Sequence, residues 1–137
     1  MINYNGTLYN SDFQLSNANR SFLFGDGIFE TMKVVDGKIL FIEDHYFRLM
    51  ASMRIVRMEI PMNFTLEFIE SEVLHLVNEL SISDSARVRF TVFRNDGGLY
   101  APETNSISYT VHANRIVDKM YSIAKLNFEV DLYKDNF

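Results

Sequence analysis

An α+β fold is what this sequence predicts: an antiparallel sheet with two helices packed on one side. Three observations carry that expectation. The pair Asp36-Gly37 stands between two apolar alternating runs, two segments of helical periodicity follow it, and further runs alternate with a period of two. Strands, then two helices, then strands is the order expected when helices gather on one face of an antiparallel sheet. At 137 residues the chain, 1–137, is expected to form a single domain.

Each element has a local reason. In Gly25-Asp26-Gly27 the glycines permit a tight turn, because glycine reaches positive φ without steric cost. Ile28 to Val35 then reads as a strand. In Val34-Val35-Asp36-Gly37-Lys38-Ile39 the Asp-Gly pair is the strongest short hairpin signal, so 28–35 and 38–42 should pair antiparallel. A helix is expected from about Glu43, its apolar positions Tyr46, Leu49, Met50 and Met53 recurring at three and four, with Pro61 ending that element. A second helix, from about Asn63 or Thr65, carries Leu66, Ile69, Val73, Leu76, Val77 and Leu80 on one side. Its early acids Glu67, Glu70 and Glu72 complement the positive end of the helix dipole. Three strand-like runs follow: Ala86-Val88-Phe90-Val92, Ile107-Tyr109-Val111-Ala113 and Ala124-Leu126-Phe128-Val130-Leu132. Asn95-Asp96-Gly97-Gly98 and Ala101-Pro102 mark the loop between the first two.

Composition excludes several classes. A net charge of −5 offers no attraction to nucleic acid or to an anionic membrane surface. Cysteine is absent, which removes disulfides and thiolate metal sites. His45, His75 and His112 are too scattered for a metal-ligand pattern, so no metal is expected; His75 is expected to be half-buried on its helix. No nucleophile elbow or Walker-type loop occurs. With no secretory pattern and no apolar run of membrane length, the cytoplasm is the expected location. Asp26 and Glu30, in a turn and a strand with no partner base, are not expected to form an acid–base pair.

The arginines are the informative side chains. Arg48, on the first helix, has a planar fork suited to phosphate oxygens, although a solvated helix arginine would look the same. Arg87 and Arg89 share one strand face, a pattern that suits solvent or an anion.

The string Phe24-Gly25-Asp26-Gly27-Ile28-Phe29-Glu30-Thr31, followed by Asp44-His45-Tyr46-Phe47-Arg48-Leu49, closely resembles the class IV aminotransferase family. These are pyridoxal-phosphate enzymes of fold type IV, among them branched-chain and D-amino-acid aminotransferases and aminodeoxychorismate lyase. The resemblance runs from about Leu8 to Asn95 and more loosely beyond. It implies the small N-terminal domain of such an enzyme, with pyridoxal phosphate as cofactor, an amino acid or 2-oxo acid as substrate, and a homodimer as the assembly. By the same resemblance Arg48 matches the arginine that holds the cofactor phosphate, and Arg89 an arginine near the substrate carboxylate. Phe24 and Phe29 match positions lining the substrate side; several relatives carry tyrosine there, and phenylalanine lacks its hydroxyl. Phe29 also reads as a core ring. His45 would orient the start of the helix near Arg48, and Arg94, before the glycine-rich loop, reads as structural.

In the family the Schiff-base lysine lies in a Lys-Ser/Thr-x-Asn context at the start of a larger second domain. Here Lys125 is followed by Leu-Asn-Phe and Lys134 by Asp-Asn-Phe. No catalytic residue is therefore expected within this chain, the larger cofactor-binding domain is expected to be absent, and the 137 residues alone are expected to be inactive. The alternative is a stand-alone domain that has lost catalysis and binds a small anion or a protein partner. Transaminase and lyase, and the identity of the amino substrate, are not separable at this level.

Overall fold

In order along the chain come β1 (Ile2–Tyr4), β2 (Thr7–Tyr9), α1 (Arg20–Phe24), β3 (Gly27–Val35), β4 (Lys38–Ile39), α2 (Ile42–Ile55), α3 (Leu66–Glu79), β5 (Ser85–Arg94) and β6 (Ile107–Arg115). The computed structural model describes residues 1–10, 12–118, 120–121 and 128–132. Among these residues the strands form one open sheet in the order β2-β1-β6-β5-β3-β4, every neighbouring pair antiparallel. The fold is the expected α+β.

The Asp36-Gly37 turn joins β3 to β4 as expected, with both residues at positive φ, which is what a two-residue turn between twisted strands requires. β4 is shorter than the anticipated 38–42 because the chain turns into α2 at Ile42. A second hairpin of the same kind, Asn5-Gly6 between β1 and β2, also has both φ values positive. Its strands are three residues each, too short to show an alternation of their own.

Alternation along β3, β5 and β6 gives the sheet two unlike faces. On one face Met32 and Val34, Ala86, Val88, Phe90 and Val92, and Tyr109, Val111 and Ala113 are buried. They pack with Leu49, Met50 and Met53 of α2 and Ile69, Val73, Leu76 and Val77 of α3. Phe90 and Tyr109 stack with ring centroids 5.2 Å apart, and Phe64 meets both edge-on. Thr65 caps α3, its hydroxyl oxygen accepting from the Phe68 N–H at 3.2 Å. The other face carries Phe29, Thr31, Lys33, Arg87, Arg89, Thr91 and His112, none of them buried.

Two expectations are corrected. The run Ala124-Leu126-Phe128-Val130-Leu132 is not a strand over its described part: Phe128, Val130 and Leu132 are exposed and irregular, while 122–127 lie outside the described residues, Lys125 with them, as does Lys134. Alternation supplies a strand with a face but not with a neighbour, and both sides of β6 are taken, by β1 and β5. His75 is exposed rather than half-buried, 4.0 Å from Glu79 one helical turn on.

The two-faced sheet makes a direct prediction. Phe90→Ala, on the covered face, should cost about 3–5 kcal/mol. Phe29→Ala, on the open face, should cost about 1 kcal/mol or less. Urea denaturation midpoints of the two variants measure this, and equal losses would contradict the assignment of faces.

Candidate functional site

The glycine-punctuated turn folds around one carboxylate. Asn19 caps α1, its Oδ1 accepting from the N–H groups of Ser21 and Phe22 at 3.0 and 3.3 Å. Gly25 ends the helix in the left-handed conformation at φ 66. At Gly27 a Cβ would lie 2.5 Å from Ser21 Oγ and 3.1 Å from Ser21 Cβ, so a side chain there would force Ser21 to shift. Between them, Asp26 Oδ2 accepts from Arg20 Nε at 2.8 Å and from Arg94 Nε at 2.9 Å. Arg20 Nη1 donates to the carbonyls of Gly97 and Leu99, both at 2.8 Å. Arg94 donates to the carbonyls of Val56 and Arg57 and to Asn105 Oδ1. Both arginines are buried, and Arg94 is structural, as expected. Burial is the largest influence on Asp26 and works against its charge; the two arginines outweigh it and hold the carboxyl below its ordinary range.

A second carboxylate organises α2. Glu30 lies on the helix side of β3, its side chain 7% exposed, and accepts from Arg48 Nε at 2.8 Å and Arg48 Nη2 at 2.5 Å. His45 Nδ1 lies 2.7 Å from Glu30 Oε2 and 3.1 Å from Arg48 Nη2. An ionised carboxylate only accepts, so Nδ1 carries a proton toward it. Here too burial is the largest influence and opposes the charge, while Arg48 first and His45 second hold Glu30 below its ordinary range. Glu30 in turn raises the pKa of Arg48. The Arg48 side chain is 59% exposed, so one edge of its fork is anchored and the other faces outward.

The open face holds a third group. The Arg89 guanidinium stacks over the Phe29 ring, 3.7 Å from its centroid. Strand register places Thr31, Arg89 and His112 in one row and Lys33, Arg87 and Asn114 in the next. Like charges directly opposite one another repel, so the Lys33–Arg87 row is costly unless an anion or a partner answers it. Lys33 Nζ lies over the Tyr121 ring at 4.4 Å.

Of the residues picked out by sequence, Phe29 and Arg89 come together, and Phe29 is 53% exposed rather than a core ring. Arg48 stands on the other side of β3, reached through Glu30, the residue next to Phe29. Phe24 lies apart from both groups, at the end of α1, with Arg20 over its ring and Tyr100 beside it at 6.1 Å. Asp26 and Glu30 are each tied to arginine, which leaves neither as half of an acid–base pair. Two members of these clusters were given no role by the sequence: Arg20, which lies just before the glycine turn, and Glu30, which is part of the motif string but anchors Arg48 only through the completed fold.

Comparison with known proteins places these clusters in context. The model of the family described as amino-transferase class IV matches residues 27–131. D-alanine aminotransferase of Staphylococcus epidermidis is 26% identical over 110 residues, covering 80% of this chain and 34% of the relative. The chain thus spans about a third of that protein's length. Among solved structures, the branched-chain aminotransferase of the thermophilic archaeon Thermoproteus uzoniensis with norvaline superposes with a TM-score of 0.72 at 18% identity, over 82% of this chain and 39% of that one. The 4-amino-4-deoxychorismate lyase of Pseudomonas aeruginosa does so with a TM-score of 0.67 at 24% identity, over 83% and 39%. These likenesses show a shared fold.

The Asp26 cluster can be tested for its weight in the fold. Asp26→Asn leaves two buried guanidinium groups without their counter-charge and should cost about 3–5 kcal/mol at neutral pH. Because the native pKa values of Asp26 and Glu30 are lowered, the unfolded chain binds these protons at higher pH than the native chain. Their stabilisation is full above the ordinary carboxylate range and is lost as pH falls through the lowered native values. Stability of Asp26→Asn should therefore vary less with pH than the parent's between about pH 5 and 2, as measured by denaturation at a series of pH values.

Proposed function

The chain belongs to the class IV aminotransferase family, and from that premise we propose that it is the part of a pyridoxal-phosphate-dependent aminotransferase or aminodeoxychorismate lyase that holds the cofactor phosphate and walls the substrate side. The observation that carries this reading is the anchored, outward-facing Arg48. Glu30 takes the side of the fork made by Nε and Nη2, and among the described residues the end-on edge containing Nη1 remains for a second acceptor with two oxygens. A phosphate group fits that donor set, since its oxygens can take two parallel N–H bonds from one guanidinium.

Pyridoxal phosphate, when bound, supplies an electron sink for charge left at the α-carbon of an amino acid. This chain's residues bind and orient. Arg48 holds the phosphate. Arg89, braced by Phe29, aligns the carboxylate of an amino acid or 2-oxo acid, and fixing that group is worth far more than contact alone because it presents the reacting bond in one orientation. Phe24 adds apolar surface rather than a hydroxyl. The amine that carries the cofactor is assigned to the larger domain of the family, outside these residues, which makes the chain inactive by itself. Phe22, Leu23, Leu99 and Tyr100, all exposed, are assigned to contact with the rest of a homodimeric, cytoplasmic enzyme.

Two substitutions in the complete enzyme test the reading. Arg48→Ala should reduce pyridoxal-phosphate occupancy after dialysis by about tenfold or more while moving the unfolding midpoint little. Arg89→Ala should raise KM for the amino substrate with little change in cofactor occupancy. Full occupancy in Arg48→Ala would sink the phosphate assignment.

A further inference from the structure

We infer that Glu30 is the positioning residue of the phosphate site and that His45 braces it, so that phosphate is recognised there by a fixed guanidinium edge rather than by net positive charge. The inference rests on the reading of Arg48 given above. It concerns two residues to which that reading assigns nothing.

An exposed arginine has a long, mobile stem, and the entropy of its many rotamers resists confinement to one pose. On α2 itself Arg48 has only the charge of Asp44 one turn back and the His45 ring at 3.1 Å, neither of which grips two of its N–H groups. The confinement comes across the fold, from β3. Glu30 is almost wholly buried, on a strand paired with β5 from Gly27↔Phe93 to Val35↔Ser85, so its carboxylate has a fixed origin. Both carboxylate oxygens face the fork, at 2.8 and 2.5 Å, and a two-point contact fixes the plane of the guanidinium as well as its place. His45, three residues before Arg48 and on the same helix face, closes the triangle at 2.7 Å from Glu30 Oε2. With its Nδ1 proton committed to the carboxylate, the ring blocks rotation of Glu30 away from Arg48.

Charge argues against the simpler account. Glu30 places a negative charge beside the one cation meant to attract phosphate, which weakens the attraction at a distance. If Arg48 worked by charge alone, Glu30 would be a handicap, and its removal would tighten phosphate binding. If Arg48 works by orientation, removal of Glu30 loosens it. The two accounts predict opposite signs.

The experiment measures dissociation constants for pyridoxal 5′-phosphate and for pyridoxal, which lacks the phosphate, by equilibrium dialysis with the complete enzyme as its gene encodes it. The ratio of the two constants isolates the phosphate contribution, and general damage to the fold moves both constants together. Arg48→Ala should collapse the preference for the phosphorylated ligand. Glu30→Gln should cut that preference by about tenfold, the effect of one charge-assisted hydrogen bond, despite making the site more positive. His45→Ala should cut it by a smaller factor, and His45→Gln, whose amide can still donate to Glu30, should restore part of it. An unchanged or increased preference in Glu30→Gln overturns the inference while leaving Arg48 as the phosphate ligand. An unchanged preference in Arg48→Ala overturns the phosphate reading itself. Should Glu30→Gln not yield folded protein, the two His45 variants decide: equal preference in His45→Ala and the parent overturns the inference.

Discussion

The bond pair on which the rest of this structure depends is the one from Arg20 and Arg94 to a single oxygen of Asp26. Five stretches of chain meet there: the start of α1 at Arg20, the turn into β3, the segment after α2 through Val56 and Arg57, the end of β5 at Arg94, and the glycine loop at Gly97 and Leu99. Two guanidinium groups and one carboxylate leave an excess positive charge in a buried place. The fold answers it with main-chain carbonyls and Asn105, which accept five further hydrogen bonds from the two guanidinium groups. Buried charge is tolerated only when its hydrogen-bonding capacity is filled in this way. The glycines on either side follow from the same constraint: Gly25 must turn left-handed and Gly27 must leave space for Ser21, so that Asp26 can point inward.

From that fixed turn β3 starts in a defined register, and the register decides which side chains can meet. Period-two alternation sends Phe29 to the open face and Glu30 to the helix face. Each then finds an arginine that no sequence spacing links to it, Arg89 across the sheet and Arg48 on α2. Slipping β3 by one residue would exchange these roles, burying a ring where a carboxylate is needed and exposing the anchor of Arg48. The candidate site is therefore a property of register as much as of composition. Its residues are neighbours in the chain whose functions lie on opposite sides of a strand.

That division explains what could be read from sequence. The Asp36-Gly37 hairpin was legible because a two-residue turn with both φ positive admits few dipeptides, and α2 and α3 were legible because their apolar residues recur at helical spacing over fourteen residues each. Arg48 and Arg89 were visible as candidates through the motifs around them. β1 and β2 were not, since three residues carry no period, and α1 was not, since a single turn shows only its caps, Asn19 and Gly25. The pairing of Asp26 with Arg94 spans 68 residues of sequence and depends on the completed sheet. Phe29 shows the limit most clearly: its apolar character suggests the core, and only its parity along β3 places it outside.

The two arginines also differ in what their braces leave available. A carboxylate binds a guanidinium in its plane, using up N–H donors and cancelling charge, so Arg48 retains one directed edge. An aromatic ring binds it through its face, so the Phe29 ring limits the tilt of Arg89 without taking any of its in-plane donors or cancelling its charge. The first arrangement suits a group that must be held in one pose through every turnover. The second suits a group that arrives, is oriented and leaves, because the ring supports the cation without competing for its hydrogen bonds. The phosphate proposed for Arg48 and the carboxylate proposed for Arg89 follow that division of chemistry, and the opposite assignment would ask the partly neutralised, clamped cation to capture the transient ligand.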